Sequence, residues 1–362
     1  MYVMEKNWVQ DRLSRIEAVL QAELPKEDED WAAKTFFGEQ GRSSFQAPPP
    51  LPPLSLTAPI KDLLNRGGKR WRPLLACMVC ESLGGKDAVF PLLPLVEFCH
   101  NASLIHDDIE DGSTERRGKP AIHILYGEDA AVNSGSFLYF LPLTCIDRWE
   151  ADAGLKLRAY SLWALNMRRL HLGQSLDIHW HNNGFFPEIN EYYAMCRLKT
   201  GVLAAFAATA GVLAAENAAK NSGREANFDK ILTPLTAAAE NLGLGFQILD
   251  DVKNLTGGIY GKTQGDDVVE GKKSLPILLF VRKENPKQGE GVMPERAAFV
   301  NDCFAAAKKE GASSSAVKSL TEALKADGVL KEAEDRGRRL LEEAEKSIAG
   351  LGCGGISAFM KF

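Results

Sequence analysis

Four acidic side chains fall within five residues in the stretch SLIHDDIEDGSTERRGKP, residues 103–120: Asp107, Asp108, Glu110 and Asp111. Asp107 and Asp111 stand at i and i+4, one turn apart on one helix face, and Asp108 lies about 100° around the axis. The last turn of a helix carries the negative end of its dipole, so carboxylates there are repelled by the backbone and by one another. A chain keeps such a local conflict where function requires it. Carboxylate oxygens without cysteine or clustered histidine suit a hard ion such as Mg²⁺, which takes one or two carboxylates and bridges them to phosphate oxygens. Alone, the stretch is equally readable as an acidic helix end facing solvent.

A second doublet weighs against that. QILDDVKN, residues 247–254, is a weaker echo of LIHDDIED, residues 104–111, and places Asp250 and Asp251 near the end of another apolar helix. It follows the close-packing stretch NLGLGF and is expected to face inward. Two carboxylate clusters on two helices of one bundle resemble a metal site in a bundle core. Their number and type fit several Mg²⁺ ions around a polyphosphate.

The basic residues fit the same object. GGKRWRP sets Lys69, Arg70 and Arg72 after a glycine pair that starts a helix, and helix N-termini and arginine forks both bind phosphate. Arg116, Arg117 and Lys119 follow the first aspartate cluster directly, and Lys199-Thr200-Gly201, Lys262 and Lys272 add to the set. Each lysine by itself reads as solvated surface. Together these cations exceed what one diphosphate needs, which points to two. His100, nearly two turns before Asp107, reads either as a phosphate donor or as a buried structural histidine. Asp129, His123, His179 and His181 take no role in this reading.

These groups need long helices to position them. Apolar periodicity predicts helices at 57–66, 70–84, 88–111, 129–150, 155–181, 188–217, 228–256, 273–284, 295–309, 313–326 and 330–349, with no alternating strands or hairpin turns. Many long helices joined by short loops make an all-α bundle. Ahead of it, Val9, Leu13, Ile16 and Leu20 mark an amphipathic helix over 7–24. An acidic and then proline-rich linker follows, in which Pro48 to Pro53 cannot be helix interior. The chain therefore divides into residues 1–56, a helix plus linker, and a helical domain over 57–362.

Composition narrows the function classes. The 362 residues carry 43 basic and 48 acidic side chains, a net charge of −5, so no basic field for nucleic acid exists. The N-terminus lacks an apolar signal-peptide core. The longest apolar run, residues 201–215, is shorter than the roughly 20 residues that span a bilayer and reads as a buried helix. Seven scattered cysteines show no framework spacing. Cys77 and Cys80 read as two buried thiols, because no second pair or nearby histidine completes a zinc site. A cytoplasmic protein without a transmembrane segment is expected.

The segments GGKRWRP, HNASLIHDDIEDGSTERRGKPAIHILYG, LHLGQSLDIHW, RLKTG and FQILDDVKNLTG, in that order, resemble the trans-prenyl diphosphate synthases, from about residue 60 to at least 280. With VNSGSFLYF they are most similar to eukaryotic-type geranylgeranyl diphosphate synthases. The resemblance implies the isoprenoid synthase fold, a helical bundle around a central substrate cavity, and a homodimer. It implies Mg²⁺-assisted condensation of isopentenyl diphosphate with dimethylallyl, geranyl or farnesyl diphosphate, ending at geranylgeranyl diphosphate. Farnesyl or longer products, a terpene cyclase and a non-catalytic partner subunit are the alternatives. Asn254 stands where many members have a third aspartate, a departure that is ordinary in this subgroup.

The same resemblance assigns roles. Asp107 and Asp111, supported by Asp108, hold Mg²⁺ on the allylic diphosphate, and Asp250, beside Asp251, holds a further ion from the opposite wall. Arg116, Lys199, Thr200, Gln247, Lys262 and Lys272 contact the allylic diphosphate. Lys69, Arg72, His100 and Arg117 hold isopentenyl diphosphate. Backbone groups near Lys199, where LKTG breaks the helix, steady the allylic cation, and the loop 256–265 acts as a lid. Ala102, Ser103, Tyr139, Phe140 and His171 set product length, the alternative being that they are ordinary core residues.

Overall fold

In the computed structural model, residues 6–37, 51–225, 227–257, 264–282 and 292–353 are described. Lys262, Pro48 to Pro50 and most of the expected lid loop lie outside them. The chain forms two compact units. The first comprises Met1–Trp163, Phe206–Leu232 and Gly352–Phe362, and the second Ala164–Ala205 and Thr233–Leu351.

The first unit opens with α1 (Lys6–Ala22), whose Val9, Ile16 and Leu20 are buried as the stripe predicts. A one-turn helix, α2 (Glu29–Ala32), is capped by the Asp28 carboxylate accepting from the Trp31 N–H at 2.7 Å. It runs into a π-helical turn, Ala33–Phe37. Pro53 then precedes α3 (Leu54–Asn65), where the first-turn N–H groups have no intrahelical partner to lose. Next come α4 (Trp71–Ser82), a 3-10 stretch (Lys86–Leu92) and α5 (Leu93–Glu110), which carries the first aspartate cluster at its C-terminus. The seven cysteines are free and buried, Cys77 and Cys80 among them, on α4.

Three expectations need correction here. A hairpin exists: β1 (Glu115–Arg116) pairs antiparallel with β2 (Lys119–Pro120). Its two central residues, Arg117 and Gly118, take φ of 56° and 72°, the left-handed pair of a tight hairpin turn, which an Arg-Gly dipeptide does not advertise. The helix expected at 129–150 is broken into α7 (Glu128–Phe140) and α8 (Leu143–Arg148), with Pro142 as N-cap of the second. The short α6 (Ile122–Tyr126) precedes them.

α9 (Ala153–His181) runs from the first unit into the second, and α10 (Ile189–Cys196), a π-helical turn (Arg197–Gly201) and α11 (Val202–Asn221) form one continuous helical stretch that returns to the first unit at Phe206. The break expected at LKTG is the third correction, because the helix runs on through it as a π-helical turn, while the helix expected at 188–217 is found. Lys86–Glu110 and Ile189–Asn221 are both long and apolar enough to span a bilayer, and 72% and 78% of their apolar windows are buried in the fold.

α12 (Asp229–Thr256) carries the second doublet, and α13 (Asp266–Val269), α14 (Leu275–Val281), α15 (Pro294–Glu310), α16 (Ser315–Asp327) and α17 (Val329–Gly350) complete the second unit. Its core gathers Trp180, Phe186, Tyr192, Ile248, Leu278 and Phe304. Helices approach there through glycine. A Cβ on Gly243 would fall 2.5 Å from the Gly201 Cα, and one on Gly173 only 2.4 Å from the Lys199 nitrogen. Those contacts seat the RLKTG turn against both α9 and α12.

Candidate active site

Within the first unit, α5 ends where it was expected to, with Asp111 as C-cap and its N–H bonded to the Asp107 carbonyl at 2.9 Å. The doublet divides by burial. Asp107 is half-buried, while Asp108 is fully buried and desolvation raises its pKa, opposed by Arg116. Arg116 Nε donates to Asp108 Oδ1 at 2.8 Å, and its Nη2 lies 3.6 Å from Asp107. Asp108 Oδ2 is buried with no hydrogen-bond partner among the described residues.

That donor set fits magnesium. It is made of carboxylate oxygens only, and it holds a buried, unsatisfied acceptor. No three His, Cys, Asp or Glu side chains converge among the described residues. Magnesium asks for no full protein cage, since it completes its shell with water and phosphate.

The basic residues of this unit meet around His100. Its imidazole is pushed well below the ordinary histidine range by desolvation, then by Arg72, Arg117, Arg116 and Arg70 in that order, so it is neutral and able to donate one hydrogen bond. Burial also lowers Arg117, to about 10, with Glu97 opposing and Arg70, Arg116 and Arg66 assisting. Guanidinium groups crowded in this way are relieved by an anion. Arg72 is buried with its guanidinium 4.5 Å from the Trp71 ring, and Lys69 is exposed. Arg70 is occupied otherwise: it pairs with Glu17 and Glu97, each at 2.7 Å.

The proposed chain-length residues of this unit share α5 and α7. Ala102 is buried, and Ser103 donates to the His100 carbonyl at 2.8 Å. Tyr139 is 8% exposed and stacks on His106 at 5.6 Å, whereas Phe140 is 58% exposed, beside Trp163. His106 is a site neighbour that the sequence did not single out. Its Nδ1 lies 2.9 Å from the Ala102 carbonyl, and a Cβ on Gly135 would fall 2.8 Å from its ring.

The second unit repeats the division of its doublet. Asp250 is exposed and Asp251 buried. Asp251 accepts from the Tyr192 hydroxyl at 2.6 Å and from Gln247 Nε2 at 2.9 Å, and Gln247 Oε1 in turn accepts from Thr200 at 2.7 Å. Burial, then the charge of Asp267, pushes the Asp251 carboxyl up to about 7, against the lowering effect of those two donors. Lys199 Nζ donates to Asp177, itself buried, at 2.6 Å. Lys272 pairs with Glu270 at 2.5 Å, while its neighbour Lys273 is buried, 4.4 Å from the Phe304 ring, and lowered to about 8 by desolvation. His171 is exposed, its Nδ1 2.8 Å from the Met167 carbonyl.

Asp177, Tyr192 and Asn254 were missed as site-shaping residues. Asp177 stands one turn after Gly173 in the quoted LHLGQSLDIHW, a spacing that would have put it beside Lys199 once that glycine was read as a contact. Asn254 anchors the segment after α12: its Oδ1 accepts from the Asp267 N–H at 3.3 Å and its carbonyl from Gly265 N–H at 3.0 Å.

Residues 53–304 match the polyprenyl synthetase family. The chain is 37% identical over 225 residues to a short chain isoprenyl diphosphate synthase of Methanocaldococcus jannaschii, a match covering 60% of this chain and 64% of that protein, so it spans less than two thirds of that relative. It is 31% identical to a geranylgeranyl diphosphate synthase of Methanosarcina mazei, over 66% of this chain and 72% of the other. In fold it resembles the crystal structure of a geranylgeranyl pyrophosphate synthase, with a TM-score of 0.73 at 22% identity, over 96% of this chain and 93% of that one.

Proposed function

We infer the activity from one premise: this chain belongs to the polyprenyl synthetase family. On it we propose a trans-prenyltransferase that joins isopentenyl diphosphate to an allylic diphosphate, with geranylgeranyl diphosphate as product. The observation that carries this reading is the combination of two aspartate doublets with a guanidinium cluster around His100, of which Arg116 also pairs with an aspartate of a doublet. A terpene cyclase handles one diphosphate and would leave that cluster without a task.

The reaction begins when the allylic C–O bond breaks and diphosphate leaves. The isopentenyl double bond then attacks the cation, and a proton is lost to the released diphosphate. Magnesium, when bound, supplies positive charge to the departing diphosphate oxygens. Asp107 and Asp111 in the first unit and Asp250 in the second are the proposed ligands, with Asp108 and Asp251 fixing the accessible member of each doublet. Arg116, Lys199, Thr200, Gln247, Lys262 and Lys272 are assigned to the allylic diphosphate, and Lys69, Arg72, His100 and Arg117 to isopentenyl diphosphate. A neutral His100 donates without repelling the guanidiniums beside it. The working form is proposed to be a cytoplasmic homodimer, in which a second copy would cover exposed apolar side chains such as Leu157.

Steady-state kinetics with each substrate varied in turn tests the pocket assignment. Arg117→Ala and Lys69→Ala each lose a charge-assisted hydrogen bond worth on the order of 1.5–3 kcal/mol. The KM for isopentenyl diphosphate is expected to rise by at least about tenfold, and that for the allylic primer far less. A rise confined to the primer would reverse the assignment.

A further inference from the structure

The amino-terminal helix has no role in the reading above, yet one of its side chains reaches the guanidinium cluster. Glu17, on α1, accepts from Arg70 through both carboxylate oxygens, Oε1 from Nε at 2.7 Å and Oε2 from Nη2 at 3.4 Å. Arg70 is 3% exposed and holds a left-handed backbone, φ 49°, at the N-cap of α4, after Lys69 and two residues before Arg72. Its Nη1 donates to Glu97 at 2.7 Å and its Nη2 to the Leu64 carbonyl at 2.8 Å.

The chain of contacts continues. Asn101 Nδ2 donates to the Glu97 backbone carbonyl at 2.7 Å and to the Glu97 carboxylate at 3.2 Å, which together fix the amide so that Asn101 Oδ1 faces Arg117 and accepts from its Nη1 at 3.1 Å. That same Nη1 donates to the Leu63 carbonyl at 3.2 Å, beside the carbonyl that Arg70 uses. A Cβ on Gly68 would touch both guanidiniums, at 3.2 Å from Arg117 Nη2 and 3.3 Å from Arg70 Nη1. Two like charges are thus held on either side of one glycine. Glu17 and Glu97 share the balancing of Arg70, and Glu97 and Asn101 link Arg70 to Arg117 by hydrogen bonds.

We propose that Glu17 is a positioning residue for isopentenyl diphosphate, acting through Arg70, Glu97 and Asn101 to set the Arg117 guanidinium. The inference rests on the assignment of Arg117 to that substrate. Without the Glu17 charge, Glu97 must balance Arg70 alone. The resulting shift of Glu97 and Asn101 would displace Arg117 while leaving the aspartate doublets untouched.

The test compares four variants of the protein by full two-substrate kinetics and thermal unfolding. Glu17→Gln keeps the side chain's length and one acceptor oxygen but removes the charge. Arg15→Ala loosens α1 elsewhere, where Arg15 pairs with Asp87 at 2.9 Å and lies over Phe90. Arg117→Ala reports whether the pocket assignment holds. Glu17→Gln is expected to raise the KM for isopentenyl diphosphate roughly tenfold, with kcat and the primer KM within about twofold, and Glu17→Asp to restore part of the loss. Arg15→Ala is expected to change neither KM. An unchanged isopentenyl KM in Glu17→Gln beside a raised one in Arg117→Ala overturns the inference and leaves the pocket assignment standing. An equal rise in Arg15→Ala overturns it too, since helix docking as a whole would then be the cause. A flat response in Arg117→Ala removes the assignment and the inference together.

Discussion

Asp107→Ala and Asp250→Ala are each expected to lower turnover by about a thousandfold or more, with the fold retained. Each removes a proposed ligand at the point where leaving-group charge develops, so the loss falls on the transition state. The burial pattern separates this from a structural effect. Asp107 is half-buried and Asp250 exposed, so neither should lower the melting temperature appreciably. Asp108→Ala should lower it, because it strips Arg116 of its buried partner, a loss of about 3–5 kcal/mol for a broken buried pair. Turnover and thermal unfolding of the three variants, measured together, check both halves. Near-normal turnover in Asp107→Ala would end the proposed mechanism.

The second large effect is on product identity. Ser103 stands one turn before Asp107 on α5 and Ala102 precedes it, both small, so neither should stop a growing prenyl chain early. Ser103→Phe is expected to shorten the main product from geranylgeranyl to farnesyl diphosphate. Tyr139→Ala is expected to lengthen it, because Tyr139 is the buried member of the Tyr139–Phe140 pair and stacks on His106, which contacts the Ala102 carbonyl. Product chain length in each variant is the measurement. An unchanged distribution in both places the limit elsewhere.

Much of this was legible because the governing signals are local. The stripe Val9, Ile16, Leu20 and the apolar run into Asp107 gave their helices correctly, since a 3.6-residue period and a terminal glycine need no tertiary context. LKTG does not break its helix as expected; the chain passes through it as a π-helical turn. Chain neighbours cannot reveal which aspartate of a doublet is buried. That depends on Arg116, placed by the hairpin's first strand, and on Tyr192, which is 59 residues from Asp251. The hairpin itself was missed because its left-handed turn uses Arg117, a residue with no turn preference, held there by Leu63 and Asn101. Glu17 was invisible for the same reason, its partner lying 53 residues away.

Product analysis of the purified protein tests the central claim most directly. The protein is incubated with isopentenyl diphosphate, Mg²⁺ and dimethylallyl, geranyl or farnesyl diphosphate in turn, with and without EDTA. The account predicts elongation to geranylgeranyl diphosphate, one inorganic diphosphate released per isopentenyl unit consumed, and loss of both in EDTA. Primer recovered unchanged, a cyclised hydrocarbon, or turnover that persists in EDTA would contradict it.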